Sequence, residues 1–254
     1  MENVQEKIII FLHIPKTAGT TLFNIINNQY NIEERMVYYP IDNPNFNKFL
    51  AQLKERLNED QNKVKVVYGH FPFGIQKQIN KSFSYITMLR NPIERVLSTY
   101  YFIQRNFEHP LHSKVVDMNI KEFLTSNDEL IQKNVFNVQT DFISGKYPPN
   151  LQEAKKNLDQ YFDIVGITEM FAESLFFIKE EFGWDNIELK SFNVTKNRPK
   201  YEQHSKDIIE LIEEKNELDF KLYQYGKKLF DKKMQSLNES EKEKMREFIS
   251  EISN

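Results

Sequence analysis

The residues His13-Ile14-Pro15-Lys16-Thr17-Ala18-Gly19-Thr20-Thr21 bring together a concentrated set of groups suited to holding an anion. They lie where an apolar run gives way to a helix-forming segment. Backbone N–H groups and the positive end of a helix dipole gather at such a point. Gly19 would let the backbone approach an oxyanion, Thr20 and Thr21 add hydroxyl donors, and Lys16 adds a full positive charge. The plain alternative is an ordinary strand–helix turn with a surface lysine.

Residue order narrows the chemistry. A triphosphate-binding loop of the Gly-x-x-x-x-Gly-Lys-[Ser/Thr] type has its lysine after the last glycine. Here Lys16 precedes Gly19, and no earlier glycine exists. A second strand–turn–helix pattern covers residues 85–100. Arg90 stands at its strand end, where α/β proteins place ligand contacts, and Ser98 lies on the second helical turn. Guanidinium and hydroxyl could converge there on one phosphate; alternatively Arg90 pairs with Glu94 and Ser98 fills space against the sheet. Between the two patterns, His70 follows the run Val66-Val67-Tyr68-Gly69, and an imidazole at that edge could take a proton from a hydroxyl at neutral pH. A lone histidine is more often structural. His13 reads as packed at its strand end. His109 and His112 hint at a metal, but a proline separates them and the chain has no cysteine.

These groups need elements to hold them. Residues 7–13 form a continuous apolar run, as a strand buried on both faces requires, and 20–29 carries apolar residues at helical spacing. Runs at 64–68, 83–89 and 162–167 predict further strands. Asn91-Pro92 opens a helix to about residue 104, with asparagine as cap and proline at the first helical position. Phe171, Leu175, Ile178 and Phe182 form a stripe stopped by Gly183; Leu218, Leu222, Tyr225 and Leu229 form another. The pattern predicts an α/β, doubly wound fold with a central, mainly parallel sheet flanked by helices and a helix-rich C-terminal half. A single domain is expected over 1–254, with its core at 7–235 and a charged amphipathic helix at 237–252 serving as a solvated face or an oligomer contact.

The 254 residues, 40% hydrophobic and 13% aromatic, suit one large folded domain. A net charge of −3 argues against a nucleic-acid partner. Without cysteine there is no disulfide, thiolate chemistry or Cys-based zinc site. The first apolar run is too short to span a membrane and lacks the flanks of a signal peptide, so a soluble, cytoplasmic protein is expected.

The segment Ile14-Pro15-Lys16-Thr17-Ala18-Gly19-Thr20-Thr21 resembles the 5′-phosphosulfate loop of sulfotransferases that use 3′-phosphoadenosine 5′-phosphosulfate (PAPS). It is most similar to the heparan sulfate 2-O-sulfotransferase-like, carbohydrate-acting branch. The resemblance implies a P-loop-like fold in which Pro15, Lys16, Thr17, Ala18, Gly19, Thr20 and Thr21 hold the 5′-phosphosulfate. Lys16 would stabilise the bridging oxygen as it leaves. Arg90-Asn91-Pro92 with Ser98 resembles the 3′-phosphate motif of the same family, and Gly69-His70 its catalytic base. Residues 134–140 and 162–169 are similar to later family segments. By the same analogy a basic loop at 193–200 closes over the donor through Lys196 and Arg198. Arg95 is either a further contact or a structural ion-pair residue, and Gln139 faces either the cleft or solvent. The activity implied by this resemblance is sulfuryl transfer to a hydroxyl of a small-molecule or carbohydrate acceptor, with no metal required. A P-loop kinase or nucleotide triphosphatase is the main rival, opposed by the lysine order. A non-catalytic nucleotide-binding protein of the same fold is the other, opposed by the presence of Lys16 and His70.

Overall fold

The computed structural model describes residues 7–40, 42, 44–60, 63–185, 187 and 203–253. Strands β1 (Ile8–Leu12), β2 (Arg35–Tyr38), β3 (Val66–Gly69), β4 (Phe83–Leu89) and β5 (Phe162–Ile167) form one sheet in the order β2-β3-β1-β4-β5. Every pairing is parallel, so the sheet is wholly rather than mainly so. Parallel neighbours need crossover connections, and helices supply them. The helices are α1 (Gly19–Gln29), α2 (Phe46–Glu59), α3 (Pro92–Arg105), α4 (His112–Val115), α5 (Ile120–Thr125), α6 (Glu129–Val135), α7 (Val138–Ser144), α8 (Leu151–Tyr161), α9 (Phe171–Phe182), α10 (Lys206–Lys215), α11 (Glu217–Gln235) and α12 (Glu239–Ser253).

The central strand β1 is buried at every position, as its unbroken apolar run requires. Its register aligns Leu12 with Gly69 of β3 on one side and Thr87 of β4 on the other. β1 and β3 therefore end together and β4 runs two residues further, to Leu89, so His13, His70 and Arg90 leave the sheet at the same end of their strands. The run at 64–68 becomes a strand only from Val66, with its end at Gly69. Gly69 has φ +147°, and a Cβ there would lie 1.9 Å from the Tyr38 carbonyl oxygen, which accepts the His70 N–H at 2.8 Å. The end of β2 thus presses on the turn that launches His70. The apolar pattern of the sequence did not reveal β2 itself. It is a four-residue edge strand with Val37 exposed and Arg35 half-buried, too short and mixed for a periodicity signal.

Asn91 caps α3 by accepting from the Ile93 N–H at 2.9 Å, with Pro92 at the first helical position. Beyond α3 a mostly helical layer packs around Val96, Leu97, Ile103, Phe123, Ile131 and Ile212. α12 opens with a reciprocal cap between Asn238 and Glu241. It is not purely a solvated face, because Phe248 packs against Phe176 of α9 with ring centroids 6.0 Å apart.

The buried face of α11 differs from the expected stripe. Asp219, Leu222, Gly226 and Phe230 are buried, whereas Leu218, Tyr225 and Leu229 are only half-buried. Two contacts rotate the helix. A Cβ on Gly226 would lie 2.4 Å from Leu89 Cδ1, so the missing side chain lets α11 lie close on the sheet. Asp219, fully buried, accepts from the Gln139 N–H at 3.1 Å, the Thr140 N–H at 2.7 Å and the Thr140 hydroxyl at 2.8 Å. Arg95 Nε of α3 lies 3.9 Å from the same carboxylate, also without exposure, and its Nη2 donates to the Val135 carbonyl. Burial pushes the Asp219 carboxyl up and the Arg95 guanidinium down to about 10; each partner counteracts the other's shift. Leaving Arg95 alone in the interior should cost ~3–5 kcal/mol. Asp219→Leu is expected to lose stability of that order in urea unfolding, and Arg95→Met/Asp219→Leu less than the single variant. Additive losses would show that the pair is not coupled.

Candidate active site

The loop from His13 to Gly19 is held by its own backbone. Thr17, fully buried, donates its hydroxyl to the Ile14 carbonyl at 2.8 Å and so closes the turn. Its side chain is committed inside the loop rather than offered to a ligand. Lys16 (φ 71°) and Ala18 (φ 63°) are both left-handed. Each non-glycine residue in that region stores ~1–3 kcal/mol of strain. Left-handed residues so spaced curl neighbouring N–H groups into the concave shape that takes up anions. The following helix α1 has Ala18 as its N-cap, with no side-chain cap bond and no acidic residue in its first turn. Its N-terminal dipole thus meets no protein carboxylate from that turn. Thr20 is exposed and Thr21 half-buried at this helix start, while Pro15 and Lys16 are half-buried.

Gly19 serves a neighbour that the sequence did not reveal. A Cβ there would lie 1.6 Å from His13 Nε2, so the glycine makes room for an imidazole rather than for an oxyanion. His13 is buried, and its ring stacks with Phe11 at 5.4 Å and lies 4.3 Å from that of His70. Tyr39, just past β2, approaches His13 Nδ1 with its hydroxyl at 3.1 Å and meets the His70 ring edge-on at 4.7 Å. Nothing in the sequence pattern singled out Tyr39, because the strand before it gave no signal.

His70 Nδ1 lies 2.7 Å from the His13 carbonyl oxygen. A carbonyl only accepts, so Nδ1 carries the proton and the Nε2 lone pair is left available. Burial is the main cause that lowers the His70 pKa to about 4, with the Lys16 charge acting the same way and the hydrogen bond to His13 opposing it. Burial, then His70 and Lys16, also hold His13 well below the ordinary histidine range. Both imidazoles are neutral at pH 7.

Arg90 leaves β4 and reaches across to the loop. Its Nη1 donates to the Lys16 carbonyl at 2.9 Å, and its Nη2 pairs with Glu94 at 3.2 Å. The Arg90–Glu94 pair, the alternative reading of this arginine, is therefore present, and the guanidinium also ties the second phosphate segment to the first. Ser98 stands half-buried on the second turn of α3. Gln139 is fully buried: its Oε1 accepts from the Arg90 N–H and its Nε2 donates to the Arg90 carbonyl, both at 2.9 Å. It faces neither cleft nor solvent but clamps the backbone that aims Arg90. Arg95, buried against Asp219, is structural. His109 Nδ1 accepts from the Leu111 N–H at 3.1 Å, and His112 Nδ1 bonds the Ile103 carbonyl at 2.9 Å. Both are thus engaged by local backbone. Lys196 and Arg198 lie outside the described residues.

The site combines a cationic loop, a second cationic strand end and a neutral base at one sheet edge. That combination suits transfer of an anionic group to a hydroxyl. Among the described residues no three metal-ligating side chains come together, and no helix is long and apolar enough to cross a membrane. A solved sulfotransferase from Alicyclobacillus acidocaldarius shares the fold, with a TM-score of 0.50 and 12% identity over 85% of this chain and 93% of that one. Galactose-3-O-sulfotransferase 2 of Mus musculus is 24% identical over 247 residues, covering 87% of this chain and 61% of its own length. Heparan-sulfate 6-O-sulfotransferase 1 of Cricetulus griseus is 25% identical over 291 residues, covering 95% and 71%. The chain thus spans about three fifths of the mouse protein and seven tenths of the hamster one. Both names are those of carbohydrate sulfotransferases, the branch that the two phosphate segments resemble. The family described as Galactose-3-O-sulfotransferase matches residues 2–252, and to that family this chain belongs.

Proposed function

We propose that this protein transfers a sulfuryl group from PAPS to a hydroxyl of a carbohydrate. The observation that carries the reading is the strained loop at residues 15–21, set on the uncapped start of α1 and braced by Arg90. The family supports a sulfuryl donor, and the named relatives support a carbohydrate acceptor. The loop N–H groups with Thr20 and Thr21 would hold the 5′-phosphosulfate, and Arg90 with Ser98 the 3′-phosphate.

In this reading His70 Nε2 accepts the proton of the acceptor hydroxyl as its oxygen attacks sulfur. The bond from sulfur to the bridging oxygen breaks on the opposite side, and the electron pair stays on that oxygen. Lys16 and the loop N–H groups stabilise the charge that builds there. Fixed positive charge and aligned dipoles supply the electrostatics, so no metal is required. Low basicity limits His70 as an acceptor of protons, but its neutral form is present across the physiological range.

Thermal-shift measurements with 3′-phosphoadenosine 5′-phosphate (PAP), and with ATP with and without magnesium, test the donor. PAP is expected to raise Tm where ATP and magnesium do not; the reverse would favour a phosphoryl-transfer enzyme. For turnover, Lys16→Ala and His70→Ala should each cost about 10²-fold or more, whereas Arg90→Ala should mainly weaken donor binding. A His70 variant that keeps its turnover would remove the base assignment.

The His70 tautomer and charge give a pH test. A 15N NMR titration should find Nδ1 protonated and the ring neutral until pH falls to about 4. The unfolded chain takes up this proton near 6.5, so folding stability contributed by the group should fall as pH drops from 6.5 towards 4. A midpoint near 6.5 in the folded protein would contradict the buried, backbone-bonded arrangement.

A further inference from the structure

Lysine side chains are long, and an ammonium keeps a fixed position only where something holds it. The Lys16 ammonium lies over the face of the Phe102 ring, 3.6 Å from its centroid. Phe102 is on α3, one turn beyond Ser98, so the two share a helix face. A ring still 39% exposed beside a polar site gains little from burial, but its negative face attracts a cation. His109 meets that ring edge-on, with centroids 5.7 Å apart and planes at 84°. With its Nδ1 engaged by the Leu111 N–H, the imidazole braces the phenyl from the side.

From this geometry we propose that Phe102 is a positioning residue for Lys16, seating its ammonium beside the phosphate loop before the donor arrives. The role in donor binding rests on the PAPS reading above; the seat itself does not. One ring face covers one side of the ammonium. α3 thereby serves the donor twice, through the Ser98 hydroxyl and, one turn later, through the lysine it orients. Neither family motif includes residue 102; by sequence it falls among the aromatics of 101–130, which could line the acceptor cleft, and only the structure sets it against Lys16.

Two measurements test the proposal. The first is the acylation rate of Lys16 in the donor-free protein, read by peptide mass spectrometry under limiting acetic anhydride. The reagent must reach the amine nitrogen, and the ring covers one side of it. Phe102→Leu should raise the rate at Lys16 about two- to ten-fold, and Phe102→Tyr should restore it. Lys7, paired at 3.9 Å with Asp163, is the internal control. An unchanged Lys16 rate in Phe102→Leu would overturn the seat. The second is a double-mutant cycle on PAP binding by calorimetry. Phe102→Leu should weaken binding about two- to ten-fold when Lys16 is present and have no effect in Lys16→Ala. Equal losses in both backgrounds would overturn the positioning role, because Phe102 would then act on the ligand or the fold directly. If the unaltered protein bound no PAP while the labelling difference persisted, the donor reading would fall and the seat would stand.

Discussion

A single buried carboxylate sets the arrangement of the C-terminal half. Asp219 of α11 accepts two backbone N–H groups and one hydroxyl from the start of α7 and lies beside the buried guanidinium of α3. Three helices from distant parts of the chain therefore meet at one charge. Leaving that charge or its partner unpaired in the interior is costly, so the meeting is strongly specified. From it a further link runs to the site. Gln139 begins the same α7 turn that Asp219 holds, and its side-chain amide grips both backbone polar groups of Arg90. The aim of Arg90 into the loop is thus decided two contacts away, by Asp219.

The same burial that makes the pair costly shapes the acid–base character of the site. His13 and His70, their tilted rings 4.3 Å apart, stay neutral because the interior disfavours a charged imidazole there. Positive charge is instead carried by groups that keep it: the Lys16 ammonium over a phenyl ring and the Arg90 guanidinium against a carbonyl and a carboxylate. The division has a physical logic. A proton acceptor must be uncharged at rest, whereas groups that stabilise an anion must be charged. Two left-handed residues in the loop are tolerated because the Thr17–Ile14 bond and the Arg90–Lys16 bond hold it from inside and outside.

Much of the sheet was legible from sequence. β4 and β5 have the expected limits, β1 lies within its predicted run, and α9 ends at the expected glycine. Central parallel strands are buried on both faces, so their apolar runs are continuous and hard to mistake. β2 was not legible, because an edge strand of four residues with an arginine at its start has neither length nor clean alternation. The buried face of α11 departs from the apolar stripe for a different reason. Leu218, Tyr225 and Leu229 are better hydrophobes than Asp219 and Gly226, yet an ion pair and a close backbone approach outweigh that preference.

At the site, local order along the chain was enough to identify the strand–loop–helix at residues 13–21, the capped start of α3 and the family that the phosphate segments resemble. Those features arise from neighbours in sequence, through backbone geometry, capping and the position of one lysine relative to one glycine. Contacts between remote residues were decided by the tertiary structure. The His70 tautomer depends on the carbonyl of His13, the backbone of Arg90 is clamped by Gln139, and Arg95 is claimed by Asp219. Lys16 likewise rests on Phe102, far along the chain. A side chain's type states what it can bond, but its partner and its charge state depend on which groups packing brings within a few ångströms and on how much water packing leaves there.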